Sequence, residues 1–176
     1  MSRGKEGRDF VPVRFAVLTV SDTRSVKDDV SGDTLEARIK DAGHTLSARK
    51  IVPDDVSAIR ATVKDWLARM DVDVVLTTGG TGLTGRDVTI EALRPLFEKE
   101  IDGFAAVFHR ISFEKVGTST IQSRACAGVA KGKFIFALPG SPGAVKDAWD
   151  GVLKQQFDYR HAPCNFVEIM PRLGER

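Results

Sequence analysis

The chain contains 176 residues, 42% of them hydrophobic, and its 26 basic and 24 acidic side chains leave a formal net charge of +2. This length suits one domain with a single buried core, and the two cysteines are too few for a disulfide framework. The near-neutral charge argues against nucleic acid as a ligand, and no apolar run approaches the roughly 20 residues that cross a bilayer, so we expect a cytoplasmic protein that contacts no membrane.

The first half of the chain alternates apolar runs with amphipathic segments. The apolar runs are nearly continuous, which is typical of strands covered on both faces. The predicted strands are residues 13–20, 45–52 and 72–78, and the predicted helices between them are residues 31–43 and 56–70. Ser31 is the predicted cap of the first helix, and Gly43 ends it. This alternation predicts βαβ units and a parallel sheet.

The second half of the chain predicts shorter elements. These are helices at residues 89–97, 103–113 and 144–157 and a buried strand at 134–138. Residues 118–129 mix glycine and hydroxyl side chains with apolar ones, and they fit either a strand or a loop. The sequence therefore predicts a three-layer α/β/α domain with a mostly parallel central sheet at residues 13–160. An N-terminal extension at 1–12 and a C-terminal extension at 161–176 would flank it.

Polar loops follow four of the predicted strands. Parallel strands deliver their following loops to one edge of the sheet, where ligands of such folds bind. The four loops are rich in glycines, hydroxyls and carboxylates, and they are Ser21-Asp22-Thr23, Asp54-Asp55, Gly79-Gly80-Thr81-Gly82 and Pro139-Gly140-Ser141-Pro142-Gly143. We therefore expect a polar pocket at this edge that is lined by backbone N–H groups and takes an anionic ligand.

The strongest motif is TTGGTG at residues 77–82. Its glycines let the backbone approach a phosphate closely, although glycines after a strand can also simply form a tight turn. Gly80, Gly82 and Gly85 spell GxGxxG, but the buried strand with an acidic end that a dinucleotide site needs about 20 residues later is missing. Arg86-Asp87 stands where a P-loop requires Lys and Ser/Thr, so neither familiar motif applies.

Two carboxylates flank this loop in the predicted topology. Asp54 and Asp87 follow neighbouring strands, so both could face the pocket and hold Mg²⁺, which prefers oxygen ligands and bridges phosphates. Asp54 or Asp55 could instead cap the helix that begins near Val56, and Asp87 could cap the helix that begins near Thr89. For each residue alone, capping is the simpler assignment. Only their joint placement around the glycine-rich loop favours a metal.

Six short motifs together resemble the MoaB/MogA family of molybdenum cofactor biosynthesis, to which the gephyrin G domain belongs. They are Val20-Ser21-Asp22, Ile51-Val52-Pro53-Asp54-Asp55, the TTGGTG motif, Arg86-Asp87-Val88-Thr89 with Glu91-Ala92, Ser123-Arg124, and Leu138-Pro139-Gly140-Ser141-Pro142. The resemblance spans about residues 15–157. Residues 112–127 and 163–166 are most similar to the MoaB branch of the family.

The resemblance implies a homotrimer or homohexamer that adenylylates molybdopterin with Mg-ATP and releases pyrophosphate. Asp54 and Asp87 would be catalytic, acting through Mg²⁺ and substrate positioning. Molybdopterin would be held by Thr78, Gly79, Gly80, Thr81, Gly82, Thr89, Glu91 and Ser123. ATP would be framed by Ser21, Asp22, Pro139, Gly140 and Ser141. Contacts with other proteins of the pathway are also implied.

Two other classes of function stay open at this stage. A non-catalytic molybdopterin-binding or carrier protein would gain weight if Asp54 proved to be a helix cap. A scaffold role, as in gephyrin, would need partner binding, and no linker in this sequence favours it. Many adenylyltransferases of the family have Pro where this chain has Ile90, but Asp87, Thr89 and Glu91 around it are kept. Because Asp54 and Asp87 are both present, we prefer the enzyme.

Other conspicuous residues fit structural roles. His44, His109 and His161 are scattered and lack the spacing of a zinc site. Trp66 and Trp149 lie on apolar helical stripes and are predicted core residues. Cys126, between small apolar residues, is predicted to be buried.

Overall fold

The computed structural model describes residues 7–175 and contains a six-stranded mixed sheet with helices on both faces. In chain order the strands are β1 (Arg14–Val20), β2 (Thr45–Val52), β3 (Val74–Thr78), β4 (Lys99–Glu100), β5 (Cys126–Ala130) and β6 (Lys133–Leu138). Their spatial order is β2-β1-β3-β6-β5-β4. The first four strands of this order are parallel to one another. Strand β5 runs antiparallel to both of its neighbours, β6 and β4. The predicted α/β/α architecture is confirmed.

The helices cover the sheet from both sides. They are α1 (Val30–Asp41), α2 (Val56–Ala68), α3 (Thr89–Leu93), α4 (Asp102–Val116), α5 (Pro142–Ala148), α6 (Lys154–Gln156) and α7 (Phe166–Ile169). A π turn at Trp149–Leu153 joins α5 to α6, and 3₁₀ turns occupy Arg94–Leu96, Gly117–Gln122 and Met170–Arg172. Among residues 7–175, no helix is long and apolar enough to cross a bilayer.

The core lies in two layers because successive residues of a strand face opposite sides of the sheet. In β1, Phe15 and Val17 pack with the layer that contains Trp149, while Leu18 packs with the layer that contains Trp66. Trp66 and Trp149 are 4% and 1% exposed, which confirms their predicted core role. Strands buried on both faces explain the nearly continuous apolar runs in the sequence.

The segment that the sequence left undecided contains both a 3₁₀ turn and β5. The turn between β5 and β6 consists of Lys131 and Gly132, both with positive φ (50° and 72°), as a two-residue hairpin requires. Since β5 runs antiparallel to β6, its first residues lie at the edge where the parallel strands end. This orientation brings Ser123 and Arg124, just before β5, to the predicted ligand edge.

Some predicted helix ends differ from the observed ones. Pro95 cannot continue α3, so α3 ends at Leu93 and a 3₁₀ turn follows. The predicted cap of α1 is wrong: the Asp29 carboxylate accepts the hydrogen bond from the Gly32 N–H at 2.9 Å. The Ser31 hydroxyl instead donates to the Gly140 carbonyl oxygen at 2.9 Å, which ties α1 to the loop after β6.

The C-terminal segment packs on the sheet. The ring of Phe166 lies 4.7 Å from that of Phe134 and 5.6 Å from that of Phe157, measured between centroids. Val167 is 7% exposed and belongs to the same core layer. The limits of the domain at residues 13–160 stay a prediction, and residues 1–6 of the predicted N-terminal extension lie outside the described residues.

Candidate functional site

A cleft of about 560 Å³ opens at the predicted edge, between the loops that follow β1, β2, β3 and β6. Most of its lining consists of sequence-predicted site residues, which are Ser21, Asp54, Gly79, Gly80, Thr81, Gly82, Asp87, Ser123, Pro139, Gly140 and Ser141. The remaining lining residues are Val20, Thr23, Arg24, Arg86 and Pro142. Residues from five separate segments of the chain therefore meet in one polar cleft.

The floor of the cleft consists of main-chain atoms. Gly79 has φ +98°, and a Cβ built on it would lie 2.3 Å from the Val20 carbonyl oxygen. A Cβ on Gly140 would lie 3.0 Å from the Gly79 Cα. Glycine is therefore required at Gly79, and a side chain at Gly140 would crowd the backbone, because the loops after β1, β3 and β6 approach one another backbone to backbone.

The two predicted catalytic carboxylates lie against two glycines of the TTGGTG motif. A Cβ on Gly80 would lie 2.9 Å from Oδ1 of Asp54, and a Cβ on Gly82 would lie 2.7 Å from Oδ2 of Asp87. The missing side chains of these glycines leave the space that the carboxylates occupy. Asp54 and Asp87 thus flank the same short stretch of backbone, as their joint placement in the sequence predicted.

Asp54 is not a helix cap. Its neighbour Asp55 caps α2 by accepting a hydrogen bond from the Ala58 N–H at 2.7 Å. Asp54 instead exchanges two hydrogen bonds with Asp22, each backbone N–H donating to the other residue's carboxylate at 3.0 Å. The loops after β1 and β2 are joined by this exchange.

Asp87 does not cap α3 either. Oδ2 of Asp87 accepts hydrogen bonds from the Thr84 N–H at 3.0 Å and from the Thr84 hydroxyl at 2.7 Å, which closes the loop between them. The N-cap position of α3 is Val88, which makes no side-chain capping bond. Of the capping assignments, the one for Asp55 is confirmed, and those for Asp54 and Asp87 are wrong.

The two carboxylates differ in their electrostatic environment. Desolvation, followed by the nearby negative charge of Asp22, raises the pKa of Asp54 above its ordinary value. The hydrogen bond from Thr84 lowers the pKa of Asp87 despite partial burial. The surroundings of Asp87 therefore stabilise its charged form, whereas those of Asp54 disfavour its charged form relative to a free aspartate.

The pair suits a magnesium ion that arrives with a phosphate. Mg²⁺ in phosphate-transferring sites is held by one or two protein carboxylates, with substrate phosphates and water completing the shell. Among the described residues, no group of three or more His, Cys, Asp or Glu side chains is arranged to hold a metal by itself. Asp54 and Asp87 therefore fit a site in which two protein carboxylates and the substrate phosphates would hold the ion together.

Four predicted ligand contacts do not line the cleft. Thr78 and Thr89 are fully buried, and their hydroxyls donate to the carbonyl oxygens of Pro139 at 3.0 Å and Gly79 at 2.8 Å. The carboxylate of Asp22 accepts from the Nε of Arg86 at 3.0 Å. The fourth residue, Glu91, forms an ion pair with Arg124. All four hold the loops around the cleft together.

Sequence analysis missed the cations of the cleft. The Arg24 guanidinium donates to the Gly140 carbonyl oxygen at 2.9 Å, and Arg86 pairs with Asp22 across the cleft. Arg24 follows a motif loop by one residue. Arg86 belongs to one of the family motifs, but it was given no role in binding the ligand. A search for basic residues within the loops after the predicted strands would have found both.

A second cavity of about 570 Å³ adjoins the cleft and shares Ser123, Pro139 and Ser141 with it. It extends between α4 and α5, where its lining includes Phe108, Ser112, Lys115 and Lys146. An elongated ligand thus has room on both sides of the loop after β6.

A glycine main-chain floor, carboxylates and arginines at the ends of parallel strands are the features of an α/β protein that binds a phosphate-bearing ligand. Comparison with known proteins identifies the family. Residues 16–159 match the family described as "Probable molybdopterin binding domain". The chain belongs to the MoaB/MogA family of molybdenum cofactor biosynthesis proteins, as the sequence motifs predicted.

Individual relatives agree with this assignment. The chain is 51% identical over 158 residues to molybdenum cofactor biosynthesis protein B of Escherichia coli (strain K12), covering 90% of this chain and 93% of the relative. A crystal structure of molybdenum cofactor biosynthesis protein B matches with a TM-score of 0.86 and 39% identity over 96% of this chain and 100% of the other. The tungsten cofactor synthesizing protein MoaB from Pyrococcus furiosus matches with a TM-score of 0.70 and 37% identity, covering 83% of this chain and 93% of the other.

Proposed function

We propose that this protein acts in molybdenum cofactor biosynthesis as a molybdopterin adenylyltransferase that uses Mg-ATP. The family and the names of the relatives support the pathway and molybdopterin as ligand. The observation that carries the enzymatic step is the position of Asp54 and Asp87. Both lie against the TTGGTG backbone at the cleft, and neither is used as a helix cap.

The proposed reaction is a nucleotidyl transfer without redox change. A terminal phosphate oxygen of molybdopterin forms a bond to the α-phosphorus of ATP. The bond from that phosphorus to the oxygen bridging to the β-phosphate breaks, and pyrophosphate leaves with the electron pair. Such a reaction asks the protein mainly for positioning and charge neutralisation, which matches a cleft without a nucleophilic side chain in its lining other than hydroxyls.

Each part of the cleft has a proposed role in this reaction. Bound Mg²⁺ would neutralise phosphate charge, and Asp54 and Asp87 would hold it. The glycine-rich loop and Ser123 would receive the phosphate of molybdopterin, while Ser21 and the Pro139-Gly140-Ser141 turn would frame the nucleotide. Arg24 and Arg86 at the rim would attract the anionic substrates.

The alternative is a molybdopterin carrier that uses the same cleft without turnover. The placement of Asp54 and Asp87 argues for the enzyme, because two carboxylates that flank the glycine-rich backbone and cap no helix suit a metal-dependent step better than storage of an anion. A homotrimer or homohexamer in the cytoplasm remains part of the proposal. Exposed apolar side chains support such an assembly: Phe113 and Val116 at the end of α4, and Ile121 in the 3₁₀ turn that follows.

The test is AMP transfer to molybdopterin by the purified protein with Mg-ATP. We expect adenylylated molybdopterin from the wild type and at least about a hundredfold less from Asp87→Ala and Asp54→Ala, because each loses a carboxylate of the proposed metal site. Asp65→Ala, at an exposed position of α2 outside the cleft, serves as the matched control.

Tight molybdopterin binding with no product from any of these proteins would reject the adenylyltransferase and leave the carrier. Activity in Asp87→Ala equal to that of the control would remove Asp87 from the mechanism.

A further inference from the structure

Arg124, which is not part of the cleft lining, holds the glycine-rich loop through its carbonyl groups. Its Nε donates to the carbonyl oxygens of Thr81 at 3.2 Å and Gly82 at 2.9 Å, and its Nη2 donates to that of Asp87 at 3.1 Å. Its backbone N–H also donates to the Thr81 carbonyl at 3.0 Å. One residue therefore binds three carbonyl groups of the loop.

Thr89 completes this pattern on the preceding residues. Its hydroxyl donates to the Gly79 carbonyl oxygen at 2.8 Å, and its backbone N–H donates to that of Gly80 at 3.0 Å. Four successive carbonyl groups, from Gly79 to Gly82, are thus all bound, two by Thr89 and two by Arg124.

Binding the carbonyl groups also sets the direction of the N–H groups. In a planar trans peptide the C=O and the following N–H point in opposite directions. Arg124 therefore fixes the N–H directions of Gly82 and Leu83, and Thr89 fixes those of Gly80 and Thr81. Within residues 7–175, no hydrogen bond uses the N–H of Gly80 or Thr81, so both are available to an anion in the cleft.

We propose that Arg124 and Thr89 position the anion-binding loop together, and that Glu91 acts behind Arg124. Thr89 orients the free N–H groups of Gly80 and Thr81, and Arg124 fixes the peptide groups that directly follow them. The carboxylate of Glu91 pairs with both terminal nitrogens of the Arg124 guanidinium. That fork keeps the guanidinium in the plane that reaches all three carbonyl groups. Glu91 therefore serves the loop through Arg124 and touches no substrate, in contrast to its sequence-predicted role. This inference rests on the proposed binding of substrate phosphates by the loop.

Lysine cannot replace Arg124 in this arrangement. Its single ammonium group lacks the planar fork that binds several acceptors at fixed angles. Arg124→Lys keeps the positive charge and most of the side-chain volume, so a loss of function in this variant reports geometry rather than charge. Arg94→Lys is the matched control, because Arg94 is a neighbouring arginine that pairs with Glu100 (Nε to Oε1, 3.0 Å).

The test combines anion binding with a direct view of the loop in the full chain. Affinities for ATP and inorganic pyrophosphate are measured by calorimetry, and backbone amide signals by nitrogen-15 NMR. For Arg124→Lys we expect about tenfold weaker binding of both anions and shifted amide signals for residues 80–83. We expect Arg94→Lys to match the wild type. Glu91→Gln should weaken binding less, and adding it to Arg124→Lys should cost less than the sum of the two single effects.

The outcomes separate this inference from the proposed function. If the wild type binds neither anion, the proposed nucleotide site fails, but the amide signals still decide the role of Arg124. Unchanged amide signals of residues 80–83 in Arg124→Lys would overturn the inference, as would wild-type anion affinity in that variant. An equal loss in Arg94→Lys would show a general structural effect and would also overturn it.

Discussion

Adjacent aspartates after β2 have opposite relations to stability. Asp55 lowers the free energy of the folded state because it caps α2. Asp54 is partly desolvated beside Asp22 and Asp87, and its pKa is raised, so the folded protein binds its proton more tightly than the unfolded chain does. Ionised Asp54 therefore costs stability at neutral pH, which is typical of a residue retained for function.

We predict that Asp54→Asn raises the thermal midpoint at pH 7 while abolishing AMP transfer. Solvent screening limits the gain to less than about 1 kcal/mol, or roughly 1–3 °C. The pKa of Asp54 is raised in the folded protein, so the gain in stability from Asp54→Asn should be absent below the ordinary aspartate pKa of about 3.9. The gain should grow as the pH rises through that value, and it should level off above the pKa of Asp54 in the folded protein. Scanning calorimetry from pH 3 to 8 measures this profile.

Asp55→Ala provides the comparison at the next position. It removes the cap of α2, so we expect a loss of about 1 kcal/mol and a midpoint about 2–4 °C lower. A lower midpoint for Asp54→Asn at pH 7 would contradict the conclusion that ionised Asp54 costs the folded protein stability.

At the scale of the elements, the glycine-rich loop shows that three glycines of one pattern have different roles. A Cβ on Gly80 would lie 2.4 Å from the Thr89 hydroxyl oxygen, whereas a Cβ on Gly85 would meet nothing within 4 Å. Gly80 also has a positive φ of 64°, which L side chains rarely adopt. The spelling GxGxxG therefore does not describe one functional unit here.

We predict that Gly80→Ala displaces Thr89 and Asp54. The variant should lose about 2–4 kcal/mol of stability, and it should also lose pyrophosphate binding. Gly85→Ala should keep the wild-type midpoint within about 2 °C, because the added methyl group enters open space. Thermal unfolding and calorimetry on both variants test the pair. Equal effects of the two substitutions would show that the loop tolerates a side chain at Gly80.

The elements also show what a sequence can and cannot predict. Strands β1, β3 and β6 were predictable because burial on both faces leaves a continuous apolar run. Strand β5 consists of small residues without such a run, and β4 is an exposed pair of charged residues that pairs with β5 only through the backbone. The carboxylates of the site were found from local motifs. The roles of Arg24 and Arg124 were not predicted, although Arg124 belongs to a family motif, because both bind carbonyl groups that are distant in the sequence and leave no local pattern.

At the scale of the whole molecule, the two ends of the described chain meet. The Arg8 guanidinium donates to the Glu168 carboxylate at 3.0 Å and lies 4.5 Å above the ring of Tyr159. Phe166 closes the aromatic cluster on the same face of the sheet. The C-terminal segment therefore packs as part of the core layer that contains Trp149.

We predict that a chain ending at Arg160 still folds but loses about 2–4 kcal/mol, because Phe166 and Val167 leave the core layer. Its thermal midpoint should fall by about 5–15 °C, and Phe166→Ala in the full chain should account for about half of that fall. Cys164→Ala, at an exposed position, should have no effect. A truncated chain with the midpoint of the full one would show that residues 161–176 are an extension without a stabilising role.

The contact of Val20, Gly79 and Gly140 through main-chain atoms has a consequence for how this site can vary. Peptide groups have the same chemistry whatever the side chains, so substitution cannot give the floor a new charge or a new polarity. It can only obstruct the floor, because an added Cβ collides with backbone at Gly79 and crowds it at Gly140. Changes in ligand preference must therefore arise at the rim, where Arg24, Arg86 and the carboxylates supply the charge.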